Sequence, residues 1–203
     1  MSTSWEQAVE TFRRAALDWV SLVHELGEVW SLPALGEWDV RALVGHTSRA
    51  LLTVEAYLGA PAEVVEVASP VEYYRRTREI AAGPDVATRG VLAGEALGGS
   101  PAQAVADIAH RVLGLIDDCT GAELVTTVAG GMELRSYLGT RTFELTVHAL
   151  DLARAVGARF EPSEAAAREC LELVAGVAVE DGTAGQLLLS VTGRDVAPGF
   201  SIL

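Results

Sequence analysis

Apolar residues recur at every third or fourth position along most of this chain, and alternating polar and apolar runs are nearly absent. That periodicity restricts the fold to packed helices, because a stripe with helical spacing scatters to both faces of a strand. The first predicted helix runs from about Thr3 to Glu28. Thr3 and Glu6 have capping-box spacing, and Phe12, Ala16, Trp19, Val23 and Leu26 share a face. After a connection at Ser31–Glu37, Asp39 is the expected N-cap of a second helix. Trp38 and Leu43 flank it at the spacing of a hydrophobic staple, Gly59 suits the position just past its end, and Pro61 prevents continuation. Two short helices are expected at Val71–Ala82 and Asp85–Leu97, separated by Gly83-Pro84. Ser100 caps the next long helix, with Pro101 in its first position and Gln103 completing the box. Gly121–Met132 reads as a loop with a short extended piece at Leu124–Val128. A long helix follows over Glu133–Val156, closed by Gly157, then one from Ser163 to about Glu180, and a last helical stretch at Ala184–Thr192. No βαβ alternation occurs, so the fold class is all-α, a four-helix bundle with additional short helices.

The helix at 133–156 breaks the usual pattern. With Leu138 set at 0° and about 100° per residue, Arg141 falls near 300°, Glu144 near 240°, His148 near 280° and Asp151 near 220°. The flanking positions are apolar: Leu138, Leu145, Ala149 and Leu152 on one side, Phe143, Val147 and Leu150 on the other. The helix is therefore expected to be buried while carrying a narrow ionisable stripe. Burying lone charges is costly, whereas paired or metal-bound ones are tolerated. Glu144 and His148 stand one turn apart and can converge on one point, and imidazole with carboxylate suits a divalent cation. An i,i+4 hydrogen bond explains the same pair without a metal. His46, on the edge of the second helix's apolar stripe with Leu43, Ala50 and Tyr57, is the candidate third ligand. It too has a plainer reading, as a core-edge histidine hydrogen-bonded to a neighbour.

Composition narrows the partners. The chain has 203 residues, 15 Lys and Arg against 28 Asp and Glu, and a net charge of −13. Such a chain is repelled by phosphate backbones and anionic membrane surfaces, so neither nucleic acid nor membrane is an expected partner, and a DNA-binding regulator is disfavoured. Its length predicts a single domain over 1–203. The two cysteines, Cys119 and Cys170, lie far apart, and no export or membrane-spanning pattern appears. A reduced, cytoplasmic protein is expected.

The run Trp38-Asp39-Val40-Arg41-Ala42-Leu43-Val44-Gly45-His46 resembles the start of the second helix in the mycothiol-dependent maleylpyruvate isomerase-like family, within the DinB/YfiT-like metalloenzymes. Arg141-Thr142-Phe143-Glu144-Leu145-Thr146-Val147-His148-Ala149-Leu150-Asp151 resembles that family's second signature. The resemblance covers nearly the whole chain and implies a DinB-like bundle in a short form, without the additional C-terminal domain of fuller members. It implies His46, Glu144 and His148 as metal ligands. Zinc is the default cation, with nickel, iron and manganese compatible. The implied activity is that of a thiol S-transferase or cis-trans isomerase acting on a small electrophile, the thiol being mycothiol or another low-molecular-weight thiol. The other class of reading is a non-catalytic bundle that binds a metal or small molecule. Asp151 is read either as the acceptor of the free His148 ring N–H or as the partner of Arg154 or Arg141. Arg141 is read either as the partner of Glu144 or as the attractor of a substrate carboxylate. Tyr57 and Trp38 are placed at the entrance, with Tyr57 toward the cofactor. A monomer or a homodimer is expected.

Overall fold

Ser4 starts the first helix. Its Oγ accepts the Gln7 backbone N–H at 3.2 Å, and the Gln7 side chain accepts the Ser4 N–H at 3.1 Å. The capping box therefore sits one residue later than the expected Thr3–Glu6 pair. Thr3 lies outside the residues described by the computed structural model, which are 4–81 and 85–203. Helix α1 spans Trp5–His24 and stops before the expected Glu28, because Gly27 turns the chain at φ 58°. The connection that follows holds a short strand pair with a register shift between Pro33 and Leu35. Strands β1 (Pro33–Leu35) and β2 (Trp38–Asp39) pair antiparallel around Gly36 and deliver Asp39 to the next helix.

Helix α2 spans Val40–Leu58, and the Asp39 carboxylate accepts the Ala42 N–H at 2.8 Å, as an N-cap should. Gly59 keeps a right-handed φ of −76°, so its lack of a side chain is not what ends α2. Helices α3 (Pro70–Ala81) and α4 (Asp85–Ala96) follow; the Gly83-Pro84 break lies outside the described residues. Helix α5 is Pro101–Asp117. The Ser100 side chain makes no capping bond, and Gln103 donates to Asp107 instead of reaching back, so the expected box does not form. The expected extended piece at Leu124–Val128 is strand β3 (Leu124–Thr127), and instead of continuing as loop the chain returns as β4 (Gly130–Glu133) in an antiparallel hairpin with Val125 opposite Met132, both buried. Helix α6, Leu134–Val156, ends at Gly157 with φ 70°, a left-handed conformation that favours glycine. Ser163 caps α7 (Glu164–Glu180), and α8 is Ala184–Val191.

Four of these helices make the bundle. Both α1 and α2 pack against α5 and against α6, which closes a ring around one core. Phe12 and Trp19 of α1, Leu43 and Leu51 of α2, Ile116 of α5, and Leu138, Leu145 and Leu152 of α6 fill it and are essentially inaccessible. Each such side chain contributes about 1.5–3 kcal/mol through burial. Helix α7 lies against α6 and α3, and α4 lies along α2. No helix among the described residues is long and apolar enough to cross a membrane.

The α2–α4 contact is unusually close. A Cβ on Gly45 would stand 2.1 Å from the Gly94 backbone N, and one on Gly94 would stand 2.7 Å from the Arg41 carbonyl. A Cβ on Gly90 would strike the Trp38 ring at 2.4 Å. Three glycines thus let α4 press its backbone onto the turn of α2 that carries His46.

Candidate metal centre

His46 sits in the second turn of α2, and Glu144 and His148 sit one turn apart near the middle of α6. Because α2 and α6 are neighbours in the bundle, their facing sides bring the three together. One ligand atom from each lies within 4.8 Å of the others, the one such cluster of three acidic, histidine or cysteine side chains among the described residues. Glu144 Oε2 is 3.3 Å from His148 Nε2, and the two imidazole rings meet edge to face at 5.2 Å. Ligand atoms held about 2.0–2.2 Å from one ion can be at most about 4.4 Å apart, so small side-chain adjustments would suffice.

Each member is held from behind. His148 Nδ1 and Asp151 Oδ2 are 3.0 Å apart, one further turn along α6. This contact, and no ion pair with Arg154 or Arg141 among the described residues, is what Asp151 makes. The Tyr74 hydroxyl, from α3, donates to Glu144 Oε1 at 2.6 Å. The Trp38 ring lies 4.4 Å from the His46 ring, and its Nε1 donates to the Ala87 carbonyl of α4 at 2.9 Å. Trp38 therefore does more than the expected staple.

The electrostatics differ sharply among the three. Burial pulls His46 down to about 4, reinforced by the nearby His148, so its ring is neutral at pH 7. Its buried Nδ1 has no hydrogen-bond partner among the described residues, which leaves this ring with unmet bonding capacity. Burial also disfavours a charge on His148, but the bonds to Asp151 and Glu144 outweigh it and raise its pKa above the ordinary value. Burial opposes ionisation of Glu144, but His148, Arg141 and Tyr74 prevail and hold it well below the usual carboxylate range. Two imidazoles and an ionised carboxylate are a donor set that fits a divalent cation.

The cluster forms part of the wall of a cavity of about 390 Å³ between α2, α3, α4, α6 and the β3–β4 turn. Tyr57 lines it, with its ring 5.2 Å from that of Tyr137. Arg141 lines it as well; it makes no direct ion-pair contact with Glu144 among the described residues, although its charge helps to keep that carboxylate ionised. Its Nε donates to Thr140 Oγ1 at 2.9 Å, and its guanidinium lies over the Tyr137 and Tyr73 rings, whose faces stabilise its charge. Tyr73, Tyr74, Arg49 and Arg89 also line the wall and escaped the sequence reading. Only Arg49 carried a signal there, three residues after His46 on the same helix. A larger groove of about 560 Å³ between α3 and α7 holds no histidine, and its Arg75 is already matched by Glu180 and Asp181.

Fold and cluster together define a helical-bundle protein with a candidate metal site of two histidines and one carboxylate, open to a cavity. The model of the mycothiol maleylpyruvate isomerase N-terminal domain matches residues 9–153, from α1 through most of α6. The chain belongs to that family. No curated protein and no solved structure matches it.

Proposed function

We propose that the protein binds a divalent cation through His46, Glu144 and His148 and uses a mycothiol-type thiol to transfer to, or isomerise, a small electrophile. The observation that carries this reading is the convergence of the three ligand atoms within 4.8 Å at the wall of a cavity. When bound, such a cation lowers the pKa of a thiol beside it, so that the nucleophilic thiolate is available near neutral pH.

The chain's own residues prepare the rest. Three protein ligands are one fewer than a closed structural zinc site uses, which suits a catalytic role. The neutral His46 is ready to coordinate without first losing a proton. Asp151 accepts the Nδ1 proton of a neutral His148 and so leaves Nε2 as the donor toward Glu144 and the cation. Tyr74 fixes Glu144 through one oxygen and leaves the other facing His148. Tyr57 stands on the cavity wall, where it can hold the body of a thiol cofactor. A cavity of this size falls within the range that holds small molecules. Zinc is the proposed cation, with nickel, iron and manganese compatible with the same donors.

The test is a thiol-consumption assay with mycothiol and an activated haloarene. Turnover that stops with a chelator and returns with zinc is the expected result. Tight metal binding with no turnover across several electrophiles would favour a non-catalytic binding protein instead.

A further inference from the structure

Helix α7 is apolar on two opposite sides, and its own bundle covers one of them. Ala166, Cys170, Leu173 and Val177 are buried, where α7 packs on α1, α3 and α6. Leu171, Ala175 and Val179 stand at i, i+4 and i+8 on the outer side. All three are exposed, Leu171 by 69% and Val179 by 68%. A helix that is apolar all round is normally covered all round. Between Ala166 and Val179 the charged residues are Arg168, Glu169 and Glu172, and Glu169 is turned inward toward Gly139. The apolar surface continues into α8, which packs on α7 after the turn at Gly182. No residue of α8 is buried, and it exposes Leu188 by 63% and Val191 by 70%. With Leu189, these large side chains expose on the order of 500 Å², at the upper end of the apolar patches that lone soluble chains carry. With the residues between them the surface approaches the ~800 Å² per partner of a standard interface. None of these residues lines the cavity at the His46–Glu144–His148 cluster.

We propose that this outer face of α7 is the contact between two copies of the chain, packed antiparallel about a twofold axis beside Ala175. The stripe is its own mirror, because a large apolar side chain follows four residues from Ala175 in either direction. The antiparallel arrangement sets Leu171 against the partner's Val179 and Val179 against the partner's Leu171, and the small alanine lets the helix axes approach to about 8 Å. A twofold contact requires such self-complementarity. Charge favours the same orientation. Arg168 is the one cation of α7, and its partner in this chain is the exposed Glu164 at 2.8 Å. In the antiparallel pair it points toward the acidic end of the other helix, at the partner's Glu180 and the partner's Asp181. A parallel pair would instead set Glu164 and Glu172 beside their own copies, and such like-charge contacts are costly. An anionic lipid surface is a poorer occupant for a chain of net charge −13. The proposal is independent of the thiol chemistry.

Sedimentation equilibrium of the full chain tests it, at about 0.15 M salt, where repulsion between two acidic chains is screened beyond about 8 Å. A dimer with a Kd of about 10 μM or tighter is expected, because interfaces near this size bind with micromolar or better affinity. The double variant Leu171→Asp, Val179→Asp brings like charges together across the contact. It is expected to weaken the dimer at least about 100-fold, while helical content and zinc uptake match the wild type. Ala175→Cys in a Cys119→Ser background tests the axis separately and decides the matter if the aspartate variant does not fold. Under oxidation it is expected to cross-link two chains, because residues beside a twofold axis lie within disulfide reach. Leu92→Cys on α4, exposed but remote from α7, is expected not to. A wild type that stays monomeric up to about 100 μM overturns the proposal, and flotation of that monomer with phosphatidylcholine vesicles would assign the face to lipid. A dimer that survives both aspartates, or that cross-links at position 92 as readily as at 175, also overturns it.

Discussion

Asp151 has one contact that matters, with His148 Nδ1 at 3.0 Å. Replacing it with asparagine removes the charge that orients the ring while leaving its volume. Asp151→Asn is expected to weaken divalent-metal affinity about 10–100-fold, read by competition with a chromophoric chelator. An unchanged affinity would mean that the ring is oriented by packing alone. Protons give a second check. His148 is raised to about 9, so without metal it is protonated at pH 7, and a coordinating imidazole must be neutral. Cation binding at pH 7 is therefore expected to release about one proton per site, and release is expected to fade as pH rises past that pKa. Calorimetry in buffers of different ionisation enthalpy measures this, and the absence of proton release would contradict the His148 assignment. At this scale the α6 stripe was legible because helical spacing alone places Glu144, His148 and Asp151 on one face. Tyr74 was not, because its contact with Glu144 spans 70 residues of sequence and depends on how α3 is laid against α6.

Elements with local start signals were legible, and elements built by distant partners were not. Asp39, Ser163 and Gly157 each act within a few residues, and their helices lie where the sequence places them. The extended piece at β3 was legible, but its pairing with β4 was hidden because the strands are four residues long and β4 opens with two glycines. Its support comes from elsewhere: the Glu66 and Val67 N–H groups donate to the Gly131 carbonyl, and Ala62 N–H donates to the Leu124 carbonyl. The seat of α4 on α2 was equally silent, since a glycine inside a helix signals nothing until its neighbour is known. Gly45→Ala is expected to destabilise the protein by about 1–3 kcal/mol or more, because the added carbon meets backbone that cannot turn aside. Metal affinity is expected to fall with it, since His46 follows directly. Thermal denaturation with and without zinc reads both, and an unchanged Tm would place α4 elsewhere.

For the whole molecule, the bundle was readable from apolar periodicity, whereas the charge balance between its layers was not. Glu169 of α7 faces Gly139 of α6, where a Cβ would come within 2.7 Å of its carboxyl oxygen. Burial, helped by Glu172, raises its pKa from 4.5 to about 7. The folded state then holds a proton that the unfolded state has lost, so stability falls as pH rises from about 4.5 through about 7. The ionised group costs on the order of 1–3 kcal/mol after allowance for partial solvent screening. Glu169→Gln is expected to stabilise the protein at pH 8 and to leave it nearly unchanged at pH 4.5; denaturant titration at both values decides it. The central claim is that two helices of the bundle share one cation. Elemental analysis of untagged protein tests it most directly. About one divalent ion per chain is expected in the wild type, with almost none in folded His46→Ala or His148→Ala. Equal metal content in all three, or none in any after growth with added zinc, would contradict it.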